Sequence, residues 1–86
     1  MESRVKNYMK RPFIIQAYQY RGEKKEEVPD WIQTVLIYLN KNFDGGIVST
    51  LEGNMNFHIF DYLVKGIRGE VYVVAKDIFE ESYYEV

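Results

Sequence analysis

Two short glycine-containing connections in the second half of the chain restrict the possible folds more than any other feature. Each joins two runs rich in β-branched and aromatic residues, a pattern typical of β-hairpins. The first is Glu52-Gly53-Asn54, between IVSTL (47–51) and MNFHI (55–59), and the second is Ile67-Arg68-Gly69, between YLVKG (62–66) and EVYVV (70–74). This half therefore predicts antiparallel strands, and we expect Gly66 and Gly69 to shape the second hairpin through a positive φ or a bulge.

A further strand is indicated near the amino terminus. The run FIIQAYQY, residues 13–20, is rich in β-branched and aromatic residues and begins directly after Pro12. Proline is tolerated at the start of a strand, because its missing N–H does little harm to the ladder there. A polar loop, RGEKKEE, follows at residues 21–27.

The segment after Val28 has the pattern of an amphipathic helix. Pro29 suits a first helical turn, where its missing N–H would have had no partner, and Asp30 complements the helix dipole. The apolar residues recur on one face: Trp31, Ile32, Val35, Leu36 and Leu39. The stretch NKNFDGG, residues 40–46, supplies the asparagines and glycines that commonly end helices. We expect one helix from Pro29 to Leu39, with its Trp31 face packed on the sheet.

The carboxyl end predicts one short helix and one short strand. Asp77 and Glu80 have the spacing of a capping box, which indicates a single helical turn. Residues 83–86 are expected to form an edge strand whose acidic residues discourage aggregation. The sum is a small two-layer α+β domain, with one amphipathic helix packed on a mostly antiparallel sheet of four to five strands.

Size and composition favour one globular domain. The chain has 86 residues, of which 47% are hydrophobic and 16% aromatic, and it has no cysteine, which excludes disulfides and thiolate metal sites. We expect residues 1–10 to be a flexible basic lead-in and residues 11–86 to be the domain. No apolar run is long enough to span a membrane and no secretion signal is evident, so no membrane association is expected.

The net charge of −2 hides an uneven distribution. Residues 1–25 carry seven basic and two acidic residues, a net +5, whereas residues 26–86 carry four basic and eleven acidic residues, a net −7. A pI of about 5.4 argues against a nucleic-acid-binding domain. The features that favour one are basic and aromatic residues of the first twenty: Arg4, Lys6, Lys10, Arg11, Tyr8, Tyr18 and Tyr20. An alternative is that acidic residues of the carboxyl end imitate the phosphates of a nucleic acid and occupy a basic groove of a partner. These residues are Glu70, Asp77, Glu80, Glu81 and Glu85.

The inventory of reactive groups is too small to predict catalysis. His58 is the only histidine, so neither a zinc site nor a histidine-based relay is expected. None of the serines lies on a glycine-flanked elbow: Ser3, Ser49 and Ser82. The isolated carboxylates flank turns, where acids are usually solvated or capping: Asp44, Glu52, Asp61, Glu70 and Asp77. We therefore predict no catalytic residue, no metal, no cofactor and no enzymatic activity.

One weak signal points to a bound anion. The segment KGIRG brings Lys65 and Arg68 together with two glycines, whose backbone amides could surround an anion. With Tyr62 as a stacking surface, this segment predicts a nucleotide-type small-ligand site as an alternative function. It lacks the Walker pattern and opens no helix, and an ordinary strand connection explains it equally well.

The carboxyl-terminal sequence resembles that of the small phage and prophage proteins of the PGDYG type. The resemblance is carried by Asp61, Tyr62, Lys65, Gly66, Gly69, Glu70, Tyr72, Asp77, Ile78, Phe79, Tyr83 and Glu85, and by the opening MKRPFIIQAYQYRGE. It implies that Asp61 caps a turn, that Gly66 and Gly69 form a hairpin, and that Phe79 packs beneath it. The chain departs from the pattern where Ile59-Phe60 replace the expected Pro-Gly, so the turn before Tyr62 is expected to form differently.

The resemblance implies a bacteriophage accessory protein that acts in the cytoplasm of a bacterial host, and it supplies no reaction. We expect a non-catalytic protein that binds a bacterial or phage macromolecule, with inhibition of a host defence system as one such role by analogy. The expected contact surface is the aromatic and acidic end: Tyr83, Tyr84, Glu80 and Glu81. Tyrosine gives a large contact area at low entropic cost, which suits it to this role. Abundant aromatics and a free strand edge would also suit a homodimer.

Overall fold

The computed structural model describes residues 4–86, and in it six strands and two α-helices make an α+β domain. The strands are β1 (Gln16–Gln19), β2 (Leu36–Leu39), β3 (Gly45–Thr50), β4 (Gly53–His58), β5 (Tyr62–Lys65) and β6 (Val71–Val74). The helices are α1 (Asp30–Gln33) and α2 (Lys76–Ser82), and a 3-10 turn covers Lys25–Glu27. No helix of the described chain has both the length and the apolar character needed to cross a bilayer.

The strands form two antiparallel sheets. Sheet A has the order β1-β5-β6 and sheet B the order β2-β3-β4. Both predicted hairpins are present: β3 pairs with β4 from Gly45↔His58 to Thr50↔Gly53, and β5 pairs with β6 from Tyr62↔Val74 to Lys65↔Val71. The first connection is shorter than predicted, because Gly53 and Asn54 belong to β4, and in the second hairpin Gly69 has a positive φ of 82° but Gly66 does not. The predicted fold class is confirmed, whereas the single sheet of four to five strands is replaced by two sheets of three strands each.

The predicted helix is wrong beyond Gln33, and this difference accounts for the second sheet. The helix α1 ends at Gln33, and the residues predicted to continue it form β2, which pairs with β3 from Leu36↔Val48 to Leu39↔Gly46. The run VLIYL, residues 35–39, is continuously apolar and contains β-branched and aromatic side chains, which favour a strand. Pairing with β3 satisfies its backbone groups, and the additional strand completes sheet B.

The two sheets enclose the hydrophobic core together with α1. Its fully or nearly fully buried side chains are Tyr20, Val28, Ile32, Val48, Phe57 and Leu63. The Tyr20 ring meets the Phe57 ring edge-on, with 5.1 Å between centroids and an interplanar angle of 81°, a favoured arrangement for aromatic pairs. Because Tyr20 extends from sheet A and Phe57 belongs to sheet B, this contact joins the sheets.

Hydrogen bonds to Glu23 hold the start of the loop that leaves β1. The Tyr18 hydroxyl and the Arg21 backbone N–H both donate to the Glu23 carboxylate, and the Tyr20 hydroxyl donates to the Glu23 carbonyl at 2.9 Å. Burial opposes ionisation of Glu23, but these hydrogen bonds outweigh it and lower the pKa of its carboxyl. The strand itself is shorter than the predicted run 13–20, because it begins only at Gln16, where pairing with β5 begins.

The carboxyl end also differs from its prediction. The helix α2 has nearly two turns rather than one, and it begins after Ala75, so Asp77 lies in the first turn instead of at the cap. The Asp77 carboxylate accepts a hydrogen bond from the neighbouring Ile78 N–H at 2.9 Å. Residues 83–86 form no strand, so the predicted edge strand is wrong; the Tyr83 ring packs on Phe79 instead.

The turn before Tyr62 places Phe60 in the left-handed region, at φ 74°. Its N–H donates to the Tyr20 carbonyl at 2.6 Å, and the Asp61 N–H donates to the His58 carbonyl at 3.0 Å. The Asp61 carboxylate closes the turn by accepting from the His58 N–H at 2.8 Å. A phenylalanine therefore holds a left-handed conformation that glycine adopts more readily, and these hydrogen bonds offset the backbone penalty.

We predict that Gly46→Ala destabilises the fold by about 2–3 kcal/mol, because overpacking forces neighbouring groups to shift. A Cβ at Gly46 would lie 2.2 Å from the Tyr38 carbonyl oxygen and 2.9 Å from Cζ of Phe57. Urea unfolding measures the loss. Ser49→Ala, at an exposed position of the same strand, is the control, and equal stability of the two variants would contradict the predicted close approach.

We also predict that Phe60→Gly is more stable than Phe60→Val by about 1 kcal/mol, since a side chain in the left-handed region is strained and a β-branched one is strained most. The same pair of substitutions at Ile59, which has a negative φ, should give the reverse order because glycine loosens the unfolded chain. The urea unfolding midpoints of the four variants give the order of stability at each of the two positions. The same order at both positions would show that φ at Phe60 has no energetic consequence.

Candidate interaction site

A stack of three aromatic rings fixes α2 on the outer face of sheet A. The Tyr62 and Phe79 rings are stacked with 4.0 Å between centroids and 13° between planes, and the Phe79 and Tyr83 rings with 4.7 Å and 20°. Phe79 and Tyr83 are four residues apart, so they lie on the same side of the helix. Val64, which shares the Tyr62 face of β5 by strand alternation, is completely buried. The sheet therefore has side chains packed on both of its faces.

Glu80 attaches the same helix through its carboxylate. One oxygen accepts from the Tyr62 hydroxyl at 3.0 Å, and the other accepts from Lys76 Nζ at 2.8 Å. The Lys76 ammonium and then the Tyr62 hydroxyl lower the pKa of Glu80. Burial and the Glu80 hydrogen bond raise the pKa of the Tyr62 hydroxyl. Because Glu80 is engaged on both oxygens, it stabilises the attachment of α2 and is less available for contacts with a partner.

A tyrosine pair continues the stack toward the β5–β6 hairpin. Burial, the side-chain hydrogen bond with Tyr83, and the nearby charges raise the pKa of Tyr72 to about 12. Tyr72 is opposite Val64 in the register of β5 and β6, so its ring lies on the face that α2 covers. The Tyr72–Tyr83 pair therefore attaches the end of α2 to β6.

Beside this pair lies a cleft of about 590 Å³. One wall is the segment 10–15, the other is the carboxyl end from Ser82 to Val86, and the floor is the β5–β6 hairpin with Glu70 and Tyr72. The lining is mostly apolar, and Lys10, Arg11 and Glu70 add charged groups. A concave, largely apolar surface with a few polar groups is the usual form of a binding site.

The predicted contact residues occupy different environments. Tyr84 is 88% exposed at the cleft, and Glu81 is exposed on α2. Tyr83 is half-buried in the ring stack, and Glu80 is bound to Tyr62 and Lys76. Tyr84 and Glu81 are therefore exposed, whereas Tyr83 and Glu80, of which Glu80 is also exposed, hold α2 on sheet A.

The residues of the alternative anion site are not brought together. Tyr62 and Lys65 are three positions apart in an uninterrupted strand, so their side chains leave opposite faces of sheet A. The Tyr62 ring is stacked on Phe79, and Arg68 is exposed in the hairpin turn. The Glu70 carboxylate lies against Gly66, where a Cβ would be 1.6 Å from its Oε1. A negative charge therefore occupies the concave side of the glycine segment.

The candidate reactive groups lie in separate places. His58 is exposed, with Nδ1 at 3.6 Å from Asp61 Oδ2, Asp44 accepts from the Asn40 amide at 2.9 Å, and Glu52 is exposed in the β3–β4 turn. Ser49 lies on β3, Ser82 ends α2, and Ser3 is outside the described residues. Among residues 4–86, no cluster of three or more acidic or histidine side chains could hold a metal ion.

The residues considered for nucleic-acid contacts are also divided. Tyr8 is 87% exposed, but Tyr20 is fully buried and Tyr18 packs against the core. The four basic residues Arg4, Lys6, Lys10 and Arg11 are exposed in the segment before β1. Of the acidic residues considered for mimicry, Glu80 and Glu70 make the contacts described above, and Asp77, Glu81 and Glu85 are exposed. Neither set forms one continuous surface.

Sequence reasoning missed the cleft and the ring stack. The sequence assigned residue 10 to the lead-in and residues 13–15 to the first strand, and neither assignment predicts the wall of a cleft. The spacing of Phe79 and Tyr83 was the available signal for the stack, since residues four apart share a helix face. This signal was missed because the helix predicted from the sequence had only one turn and did not reach Tyr83.

Comparisons with protein-family models, curated proteins and solved structures gave no match for this chain. The resemblance to proteins of the PGDYG type therefore stays a prediction.

We predict that stability falls as the pH rises from about 10 to about 12, since Tyr72 keeps its proton in the folded state to about pH 12 while an unfolded tyrosine loses it near pH 10. In that window the unfolded state binds fewer protons, so alkali favours unfolding. The stabilisation is fully present below pH 10. Burial also raises the pKa values of Tyr18, Tyr20 and Tyr62, which adds to the loss.

Urea unfolding of Tyr72→Phe at about pH 9 and about pH 11 tests the assignment. The variant should lose less stability between the two values than the native protein does. Tyr84→Phe, at an exposed position, is the control and should keep the native dependence. An unchanged dependence in Tyr72→Phe would exclude Tyr72 as a contributor.

Proposed function

We propose that this protein is a non-catalytic phage accessory protein that binds a bacterial or phage protein in the host cytoplasm. The phage origin and the cellular location are implied by the PGDYG resemblance alone. The observation that carries the binding function is the exposure of Tyr84, 88% open to solvent at the rim of the 590 Å³ cleft. Large aromatic side chains that border a concavity are the residue type most often dominant in protein interfaces.

The residue before Tyr84 is held in place by the rest of the structure, which favours a binding role for the exposed Tyr84 ring. Tyr83, the preceding residue, is fixed by the Phe79 ring and by the Tyr72 hydroxyl. The backbone N–H of Tyr83 donates to the Phe79 carbonyl at 2.9 Å. Because its neighbour is fixed, Tyr84 starts from a restricted position and loses less conformational entropy on binding than it would on a free tail.

The chemistry of the cleft suits a protein segment with an apolar anchor. The walls offer Phe13, Ile14 and Val86 to an aliphatic or aromatic side chain, while Lys10 and Glu70 offer opposite charges to its flanks. One function consistent with such a surface is inhibition of a bacterial defence protein, which a small protein achieves by occupying a groove of its target. Nucleotide binding receives no comparable support, since Tyr62 and Lys65 lie on opposite sheet faces.

We expect Tyr84→Ala to weaken partner binding by at least tenfold, about 1.4 kcal/mol, because a dominant interface residue contributes that much or more. Protein captured from lysate of infected bacteria is identified first, and the purified partner is then titrated by calorimetry. Tyr38→Ala is the matched control, since Tyr38 is 49% exposed on β2, which belongs to sheet B.

Removal of residues 84–86 should reproduce the loss while leaving the Phe79–Tyr83 stack intact. Circular dichroism and the urea midpoint verify that the shortened protein is folded. A partner bound equally well by the native chain, by Tyr84→Ala and by the shortened chain would refute the surface assignment. A purified protein that converts a metabolite would refute the non-catalytic function.

A further inference from the structure

The segment before β1 exposes more apolar surface than a solvated lead-in requires. We call residues 4–15 the arm; it contains no helix or strand. Tyr8, Met9 and Ile14 are 87%, 94% and 82% exposed, and Phe13 is 52% exposed. Apolar residues scattered singly over a surface need no explanation, but a contiguous exposed group marks a surface that another molecule covers.

The arm leads directly into an open sheet edge. The strand β1 is the outer strand of sheet A, and it pairs with β5 from Gln16↔Lys65 to Gln19↔Tyr62. No strand of the described chain pairs with its other side. The side chains at Gln16 and Ala17 are exposed and uncharged, so neither lysine nor an inward charge protects this edge, as they commonly do in natural sheets.

The molecule is more elongated than a compact chain of its length. The dimensions are 58 × 28 × 21 Å and the radius of gyration is 15.4 Å, whereas a compact chain of this length has a radius of about 12 Å. Twelve residues in extended form span about 40 Å. This length is enough for the arm to reach across the body of a second molecule.

The charge of the arm is opposite to the charge of the rest of the chain. The arm carries four basic residues and no acid, a net +4, while residues 16–86 carry seven basic and twelve acidic residues, a net −5. An arm of one copy is therefore attracted to the body of another. Nucleic acid would also attract the arm, but the acidic body would repel it, and two of the three amino-terminal tyrosines face the core.

From these observations we propose that this protein forms a two-fold symmetric homodimer in which the β1 edges pair antiparallel and each arm lies across the partner's body. The same edge is used by both copies, as two-fold symmetry requires. Pairing joins the two copies of sheet A into one continuous sheet, and Pro12 precedes the paired strand, where its missing N–H is least harmful. The strand pairing uses the outer edge of β1, whereas residues 10–15 of the arm also form a wall of the cleft. Disulfide formation between two copies requires no other partner, so it tests the dimer separately from the binding function proposed above.

A cysteine scan tests the geometry directly. The chain has no cysteine, so a disulfide formed by a single-cysteine variant joins two copies. In an antiparallel pair about a two-fold axis one residue faces its own counterpart with about 5 Å between Cα atoms, within disulfide range. Residues two positions away are separated from their counterparts by about 13 Å, too far to bond.

Single cysteines are introduced at each position from 13 to 17, and at Ile78 as the control. Ile78 is an exposed isoleucine of α2, outside the proposed interface. Under mild oxidation we expect rapid disulfide formation at one position, with a steep decline on both sides and only the slow rate of random collision at Ile78. Equal rates at all positions would overturn the proposed strand pairing.

A second measurement concerns the dimer itself. Sedimentation equilibrium of the native chain should give a dimer that weakens as salt is raised, since screening reduces the attraction between arm and body. Ile14→Glu should reduce association at least tenfold, whereas Ile78→Glu should leave it unchanged. Circular dichroism checks that both variants fold. A monomer at high protein concentration, a dimer insensitive to Ile14→Glu, or nucleic acid bound by the arm of a monomer would each overturn the proposal.

Discussion

The contact between Tyr20 and Phe57 is the interaction on which the two-sheet arrangement depends. Tyr20 continues the edge strand of sheet A, and Phe57 lies in sheet B directly opposite Gly46. The absence of a side chain at Gly46 leaves room for the Phe57 ring and for the Tyr38 carbonyl of the adjacent strand. One glycine thus permits both the close pairing of β2 with β3 and the aromatic contact that joins the sheets.

The second layer of aromatic residues has a different role. The stack of Tyr62, Phe79 and Tyr83 covers the outer face of sheet A, so this sheet is packed on one side by the core and on the other by α2. A helix of seven residues would not be stable alone, and its contacts with the sheet supply the stability that its length cannot. The cleft exists because this attachment brings the carboxyl end alongside the arm.

The two candidate surfaces lie on either side of one structural element. The arm and β1 present an unpaired backbone edge to solvent, while the arm also forms a wall of the cleft beside Tyr84. Pairing of the two β1 edges would hold the strand that each arm leads into, and with it the wall that residues 10–15 form. A dimer would then present two clefts, and a symmetric partner could engage both with increased avidity.

The two hairpins, the α+β class and the start of α1 could be predicted from local sequence, because turn residues and proline act through local backbone geometry. The connection predicted at Ile67-Arg68-Gly69 agrees with the observed pairing of β5 with β6, whereas the β3–β4 turn comes earlier than predicted, because Gly53 and Asn54 already pair with Thr50 and Ser49. Local sequence did not decide whether residues 35–39 form a helix or a strand. An apolar run of this kind suits a helix or a strand, and the pairing partner that selects the strand lies in β3.

The accessibility of the predicted site residues depends on contacts between distant parts of the chain. Tyr83 and Tyr84 are adjacent and chemically identical, yet Tyr83 packs on Phe79 while Tyr84 faces solvent. The difference arises from the direction in which α2 ends relative to sheet A. Local sequence fixes hydrogen bonds between near neighbours, whereas burial depends on residues that are distant along the chain and meet only after folding.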